Sequence, residues 1–274
     1  MRALDVLVHV RQYQGEPLSV RAAVALTRRV KAHLHGLYVA PIPPAAFTSP
    51  ETVAVLVQES DRRFHEAQAA AGWWKGIADA AGVRGDWQVA QADALDAVAQ
   101  AARWNDLIVI ERPQSKPEAP LGWGLVSRSA FAVATPLLVI PEGAQIGELG
   151  ARIVVLWNGS REAVRAVHGA LPLLTRADEV VVIDGEPPPV DGGILHLPRF
   201  DVREHLVSHG VNAVFKPFDA AGDRGVALLA AARDAAADII VMGAWGRSRI
   251  AELVLGGATR HLFQHSGTPL LVAH

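Results

Sequence analysis

Residues 238–272 read DIIVMGAWGRSRIAELVLGGATRHLFQHSGTPLLV, and this stretch decides the fold. It opens on a β-branched apolar run and closes on a second one, which is typical of two buried strands. Between the runs, Gly243, Gly246 and Gly256 precede a helix-like segment. Glycines after a buried strand let backbone N–H groups approach an anion, and a helix N-terminus adds partial positive charge. The stretch therefore predicts a strand–loop–helix–strand unit with an anion-binding loop.

The same strands occur twice in the chain. Residues 106–110 (DLIVI) return as 238–242 (DIIVM), and TPLLV occurs both at 135–139 and at the end of the chain. Residues 6–10 (VLVHV) return in the same way as an apolar run beginning at Ile153. Internal similarity of this kind indicates a repeated structural unit. The stretch at 141–147 (PEGAQIG) is a natural linker, which gives predicted domains at 1–143 and 150–274.

Helical spacing of apolar residues fills the intervals between these strands, at residues 18–32, 93–102, 162–174 and 225–237. Nearly continuous Val/Ile/Leu strands alternating with helices indicate a parallel sheet that is covered on both faces. We therefore expect an α/β fold of two tandem doubly wound domains, each a five-stranded, mostly parallel sheet with helices on both faces. The first half adds a long helical segment at about 52–81, whereas the second has a short one near 200–209.

Composition excludes several classes of protein. The 274 residues suffice for two domains of ordinary size, and half of them are apolar. A net charge of −2 gives no basic excess for nucleic acid. No cysteine is present, so disulfides, thiolate metal sites and a cysteine nucleophile are excluded. No apolar run reaches the roughly 18 residues that a membrane span needs. A cytoplasmic protein is the expectation.

The glycine spacing resembles that of the universal stress protein family. Its nucleotide-binding members carry Gly, two residues, Gly, nine residues, Gly, and then Ser or Thr. Gly243, Gly246 and Gly256 match this pattern, but the next residue is Gly257, which lacks the hydroxyl. The resemblance extends over the whole chain as a tandem pair, and it implies ATP or AMP binding in the second half, with Mg²⁺ bridging the phosphates.

The resemblance also implies a set of binding residues in the second half. Asn158 follows the first strand of that half, where the family usually has an Asp that contacts the nucleoside, and Ile183 ends the second strand, beside the base. The full set is Asn158, Ile183, Gly243, Gly246, Arg247, Ser248, Gly256, Gly257, Ala258 and Thr259. Each polar member has a structural alternative: Asn158, Ser248 and Thr259 are also typical helix-capping residues, and Arg247 is also typical of a solvated loop.

The first half lacks the corresponding loop. After its matching strand stand Glu111 and several prolines; proline offers no N–H to a phosphate, and a carboxylate repels one. After its first strand stands Arg11 rather than an acid or an amide. We therefore expect the first half to be a degenerate, structural domain, and one nucleotide at most per chain.

Three functions remain open. The first is a non-catalytic nucleotide sensor in stress signalling, and the second is an interaction protein of the same fold without nucleotide. The third is a slow ATPase, for which Asp184 and Glu252 are the available acids, although no catalytic constellation is recognisable. The histidine pairs 205/209 and 261/265 lack an accompanying acid or cysteine, so no metal site is predicted. Family members pair through edge strands, which implies an intrachain pseudo-dimer, with a homodimer and an unknown protein partner also open.

Overall fold

The computed structural model describes residues 3–42, 50–113, 124–185, 201–219, 222–244 and 257–274. The chain divides into two compact units, residues 1–147 and 148–274. Each unit contains five strands that pair in parallel with one another.

The first unit alternates strands and helices as the sequence predicts. Its strands pair in parallel in the order β3-β2-β1-β4-β5. The strands are β1 (Asp5–Val10), β2 (His33–Pro41), β3 (Trp87–Ala92), β4 (Leu107–Arg112) and β5 (Leu137–Pro141). The helices in its described part are α1 (Leu18–Val30), α2 (Pro50–Ala69), α3 (Ala71–Ala81), α4 (Ala94–Ala102) and α5 (Leu125–Ala132).

The second unit repeats this order, with its strands arranged in parallel as β8-β7-β6-β9-β10. The strands are β6 (Arg152–Trp157), β7 (Glu179–Asp184), β8 (Ala213–Pro217), β9 (Ile239–Gly243) and β10 (Leu270–Ala273). The helices in its described part are α6 (Arg161–Leu174), α7 (Val202–Ser208), α8 (Arg224–Asp234) and α9 (Gly257–His265).

The central strands are buried along nearly their whole length. In β1, β6 and β9 all residues but one are buried, and every residue of β5 and β10 is buried. Burial without in–out alternation requires helices on both faces of the sheet, which is the arrangement of doubly wound α/β proteins. The fold class expected from the sequence is confirmed. In both sheets the strand order reverses between two neighbouring strands, β1 and β4 in the first and β6 and β9 in the second.

One carboxylate is repeated at the amino end of each sheet. Asp106, just before β4, accepts a hydrogen bond from the backbone N–H of Asp5 through Oδ2 at 2.9 Å. Asp238, just before β9, accepts from the N–H groups of residues 150, 151 and 152 at 2.9, 2.7 and 2.8 Å. These bonds join the beginnings of neighbouring strands and explain why an aspartate precedes both apolar runs.

The long helical segment of the first unit differs from the expectation in one respect: it is two helices, which meet at Ala70. The indole N–H of Trp87 donates to the carbonyl of Ala67 at 2.7 Å, so that carbonyl is engaged by a side chain from β3. A new helix begins when Trp73 and Trp74 donate their N–H groups to the carbonyl of Ala70. The break therefore follows from a tertiary contact that periodicity alone does not show.

The two tryptophans of α3, Trp73 and Trp74, pack within the first unit. Trp74 is buried and its ring stacks on Trp87, with centroids 5.7 Å apart. A Cβ at Gly36 would lie 2.8 Å from the Trp74 ring, so this glycine makes room for the indole. Trp73 donates its indole N–H to the carbonyl of Gly15 at 2.9 Å.

Among the described helices, none has the length and apolar character that a membrane span needs.

Candidate functional site

A cavity of about 240 Å³ opens in the second unit at the carboxyl ends of β6, β7 and β9. Its position is the point where the strand order reverses, which is where open α/β sheets bind ligands. The remaining walls come from the end of β8 and from α8 and α9. The lining residues are Leu156, Trp157, Asn158, Ile183, Gly185, Phe218, Asp219, Arg224, Leu228, Met242, Gly243, Ala258, Thr259 and Leu262.

Five of the residues predicted from the sequence line this cavity. They come from four separate elements or turns, which the parallel sheet brings to one end. They are Asn158, Ile183, Gly243, Ala258 and Thr259. Gly246, Arg247, Ser248 and Gly256 lie outside the described residues, as do Trp245 and Glu252.

Asn158 lies in the turn between β6 and α6. Its Oδ1 accepts a hydrogen bond from the backbone N–H of Ser160 at 3.1 Å, and Ser160 Oγ accepts from the N–H of Ala163 at 3.2 Å. Gly159 between them has a φ of +69°, which glycine adopts readily. Asn158 therefore has the structural role that was its alternative, at the turn that caps α6. Its Oδ1 organises the start of α6, while the residue also lines the cavity.

Gly243 is required by packing. A Cβ at this position would lie 2.4 Å from the backbone nitrogen of Ala163 and 2.5 Å from the carbonyl carbon of Glu162. The end of β9 therefore touches the first turn of α6 too closely for any side chain. Packing is therefore a sufficient reason for glycine at position 243. The same contact places the first turn of α6 beside the cavity.

Helix α9 supplies the opposite wall through Ala258 and Thr259 in its first turn. Free backbone N–H groups of a first turn, together with a threonine hydroxyl, are suitable donors to an anion. Gly257 precedes them, is exposed, and does not belong to the lining. A Cβ at Gly257 would meet no heavy atom within 4 Å, so this glycine, unlike Gly243, is not imposed by packing.

Sequence reasoning missed the two charged residues of the described lining, Arg224 and Asp219. Both follow β8, a strand with an exposed, irregular pattern that gives little sequence signal. Asp223 caps α8 by accepting from the N–H groups of Gly225 and Val226 at 2.7 and 3.1 Å. These backbone hydrogen bonds, that of Val226 first, lower the pKa of the Asp223 carboxyl. The Asp–Arg–Gly capping signal was the available clue to Arg224.

Arg224 is the first residue of α8, and the packing of α8 on α9 fixes its position. A Cβ at Gly225 would lie 2.4 Å from the Cβ of His261, so the two helices approach closely at this glycine. Arg224 is thereby held on the same side of the sheet end as Thr259. The cavity combines one guanidinium, one carboxylate, a helix N-terminus and an apolar wall formed by Ile183, Leu228 and Met242.

The first unit differs at the same level of its sheet. β4 continues through Glu111 and Arg112, and residues 114–123, which include Gly122, lie outside the described part. Burial lowers the pKa of the Arg112 guanidinium.

In the second unit, Asp184 is one of the two acids considered for ATP hydrolysis. It does not line the cavity, whereas the next residue, Gly185, does.

Comparison with known proteins agrees with the fold and with the repeat. The model of the universal stress protein family matches residues 151–274. This chain therefore contains a universal stress protein domain. The domain covers the second unit, including the cavity and every residue that the glycine spacing singled out. No curated protein sequence matches the chain.

Solved structures match both units together. A universal stress protein from Archaeoglobus fulgidus DSM 4304 aligns with 98% of this chain and 96% of its own, at a TM-score of 0.68 and 16% identity. A putative universal stress protein from Pseudomonas aeruginosa UCBPP-PA14 aligns with 99% of this chain and 93% of its own, at a TM-score of 0.59 and 15% identity. Identities this low show the fold alone, and they show it for the whole tandem chain.

Proposed function

We propose that the universal stress protein domain of this chain binds an adenine nucleotide, ATP or AMP, in the cavity at the carboxyl ends of β6, β7 and β9. The observation that carries the proposal is the convergence of Asn158, Ile183, Gly243 and Thr259 on one cavity, from separate parts of the sequence. Its position at the reversal of strand order is the usual place for a nucleotide in this type of sheet.

Different residues of the cavity lining suit the base, the ribose and the phosphates of a nucleotide. Ile183 and Met242 offer apolar contact to a base, and Asn158 offers an amide to a ribose hydroxyl. Thr259, the first turn of α9 and the Arg224 guanidinium are donors to phosphate. Asp219 offers one carboxylate to a Mg²⁺ ion that ATP phosphates carry, which is the usual way proteins bind this ion.

A signalling role follows if nucleotide occupancy changes what the domain contacts. We propose such a role in the stress response, with a protein partner still to be identified and with both a homodimer and pairing of the two halves open. The cytoplasmic location expected from the sequence stays a prediction.

A second candidate is an interaction protein that binds no nucleotide. Two observations favour it: Gly243 has a packing cause, and the Oδ1 of Asn158 is engaged in the turn before α6. Slow hydrolysis of ATP is less well supported, because Asp184 is outside the lining.

The deciding experiment is calorimetric titration of the purified protein with Mg-ATP and, separately, with AMP, after checking the preparation for carried-over nucleotide. We expect saturable binding near one per chain. Arg224→Gln should weaken ATP binding by about tenfold, a loss typical of one charge-assisted hydrogen bond, and AMP binding by less. Arg233→Gln, in the last turn of the same helix and outside the cavity, is the matched control.

Two outcomes would count against the proposal, and a third would change the expected number of nucleotides per chain. Absence of binding, with no nucleotide retained from expression, would favour the interaction protein. Equal losses in Arg224→Gln and Arg233→Gln would show that the cavity is not where the nucleotide binds. Two nucleotides per chain would show that the first unit is not degenerate.

A further inference from the structure

Three potential metal ligands converge at the amino end of the first sheet, the end opposite to that at which the second unit has its cavity. His33 Nδ1 lies 3.1 Å from Asp5 Oδ1, and His35 Nε2 lies 3.5 Å from the same oxygen. The three ligand atoms all lie within 4.8 Å of one another. We call Asp5, His33 and His35 the amino-end triad. Among the residues that the structure describes, it is the only such group of three.

The sheet itself builds the triad. His33 and His35 are two residues apart on β2, so their side chains emerge on the same face of the sheet. The parallel register places Asp5 opposite His33 and Leu7 opposite His35, which puts the carboxylate beside both imidazoles. The backbone of Asp5 is fixed by its N–H bond to Asp106, and that of His33 by its N–H bond to the carbonyl of Leu4 at 2.8 Å.

From this geometry we propose that the amino-end triad binds a zinc ion. With Zn–N and Zn–O bonds of about 2.0–2.2 Å, the edges of a tetrahedron are about 3.3–3.6 Å long. The two distances to Asp5 Oδ1 bracket the short end of this range, and the third edge, between the two imidazole nitrogens, is at most 4.8 Å. Two imidazoles and one carboxylate are a usual zinc ligand set, whereas Mg²⁺ and Ca²⁺ prefer oxygen ligands throughout.

The site is open to solvent on one side. The side chain of His33 is 42% exposed, and those of His35 and Asp5 are 18% and 24% exposed. An ion can therefore enter without unfolding the sheet, and the fourth position is left for water.

Asp86 orients the second histidine. Its backbone N–H donates a hydrogen bond to His35 Nδ1 at 3.3 Å, and its carboxylate Oδ2 lies 3.7 Å from the same nitrogen. With Nε2 of His35 bound to zinc, Nδ1 would carry the proton, so the bond from the Asp86 N–H would be lost and the exposed Asp86 carboxylate would become the acceptor. A metal-ligating histidine that donates its other N–H to a carboxylate is the common arrangement. The backbone of Asp86 is held to β2 through its carbonyl, which accepts from Gly36 N–H at 2.9 Å.

The other histidine pairs do not share these features. Nδ1 of His209 faces the carbonyl of His205 at 2.9 Å, and Nδ1 of His265 faces that of His261 at 3.0 Å. No carboxylate joins either pair at ligand distance within the described residues. That these two helical pairs do not bind a metal therefore stays a prediction. The histidines of the amino-end triad, His33 and His35, are instead two residues apart on a strand.

The test uses the untagged full chain, prepared with a chelator that is then removed by dialysis. Zinc is titrated by calorimetry, and Co²⁺ is titrated as a spectroscopic probe of tetrahedral coordination. We expect one tight zinc per chain and the intense visible absorption of tetrahedral Co²⁺. His33→Ala and His35→Ala should each weaken zinc binding at least tenfold and remove the Co²⁺ bands.

The matched control is His65→Ala, an exposed histidine on α2 of the same unit whose Nδ1 contacts the carbonyl of Asp61. It should leave both titrations unchanged. The proposal is overturned if wild-type protein binds zinc no better than the His33→Ala/His35→Ala double variant, or if His65→Ala lowers affinity as much as His33→Ala. Circular dichroism checks that the variants are folded. His33 is the safest position to change because its side chain is the most exposed of the triad.

Discussion

The two units share one sheet architecture but differ in chemistry at both ends of the sheet. At the carboxyl end, Gly243 in the second unit corresponds to Glu111 in the first, and Asn158 corresponds to Arg11. At the amino end, Asp5 and His33 of the first unit correspond to Arg152 and Glu179 of the second. The sheet tolerates these exchanges because strand ends contribute little to the buried core, so the polar groups at each end differ between the two units.

Loop length reinforces the difference at the carboxyl end. In the second unit, three residues separate β6 from α6, and Ser160 caps the helix. In the first unit, seven residues separate β1 from α1, and the residue at the cap is Pro17, without a side-chain cap. The short connection brings the first turn of α6 against β9, and only glycine at 243 permits that approach. A side chain at the corresponding position is accommodated in the first unit, where the connection is longer.

The largest effect should come from removing this glycine. Gly243→Ala places a Cβ within 2.5 Å of two backbone atoms of α6, and overpacking against backbone should destabilise the second unit by about 3 kcal/mol. The measurement is urea unfolding, with hydrogen exchange of peptides from each unit to separate the two transitions. Gly257→Ala is the matched control, with an expected change within about 0.5 kcal/mol. Equal stability of the two variants would contradict the packing account of Gly243.

An intermediate effect concerns His9, which is buried in β1 and corresponds to Leu156 in the second sheet. Burial first, and then the charge of Arg11, lower the pKa of His9 to about 4. The unfolded chain, with an ordinary histidine pKa of about 6.5, binds the proton more readily, so native stability falls as pH falls through this interval. Between pH 7 and pH 5 the loss should be about 2 kcal/mol.

His9→Leu makes the first sheet resemble the second and should remove this pH dependence. Within the described part of the chain, Nδ1 of His9 has no hydrogen-bond partner that a leucine would leave unsatisfied. Urea midpoints of the first unit at pH 7 and pH 5 are the measurement, and His65→Ala, which changes an exposed histidine, should retain the wild-type difference. A variant that loses as much stability on acidification as the wild type would mean that another group carries the effect.

The sequence predicted the fold because buried parallel strands leave strong, repeated apolar runs, such as those that begin at Ile153 and Ile239. The site was predicted in part, because glycine spacing and strand ends are visible in the sequence. Arg224 and Asp219 escaped because β8 has a weak pattern, and the amino-end triad escaped because it joins residues 28 and 30 positions apart. Residue types alone also could not distinguish Gly243, which packing requires, from Gly257, which it does not.

The smallest effect tests Gly257, where the nucleotide-binding pattern of the family has a hydroxyl. Because a Cβ here would have no neighbour within 4 Å, serine fits without rearrangement, and it stands at the first position of α9. If the proposed nucleotide places its phosphates at this helix end, Gly257→Ser adds one hydrogen bond, about 1 kcal/mol or fivefold in ATP affinity. Gly257→Ala adds the same Cβ without the hydroxyl. A gain in the serine variant alone therefore assigns the effect to the hydrogen bond, whereas equal gains would assign it to a stiffer backbone, and no gain in either would place the phosphates elsewhere.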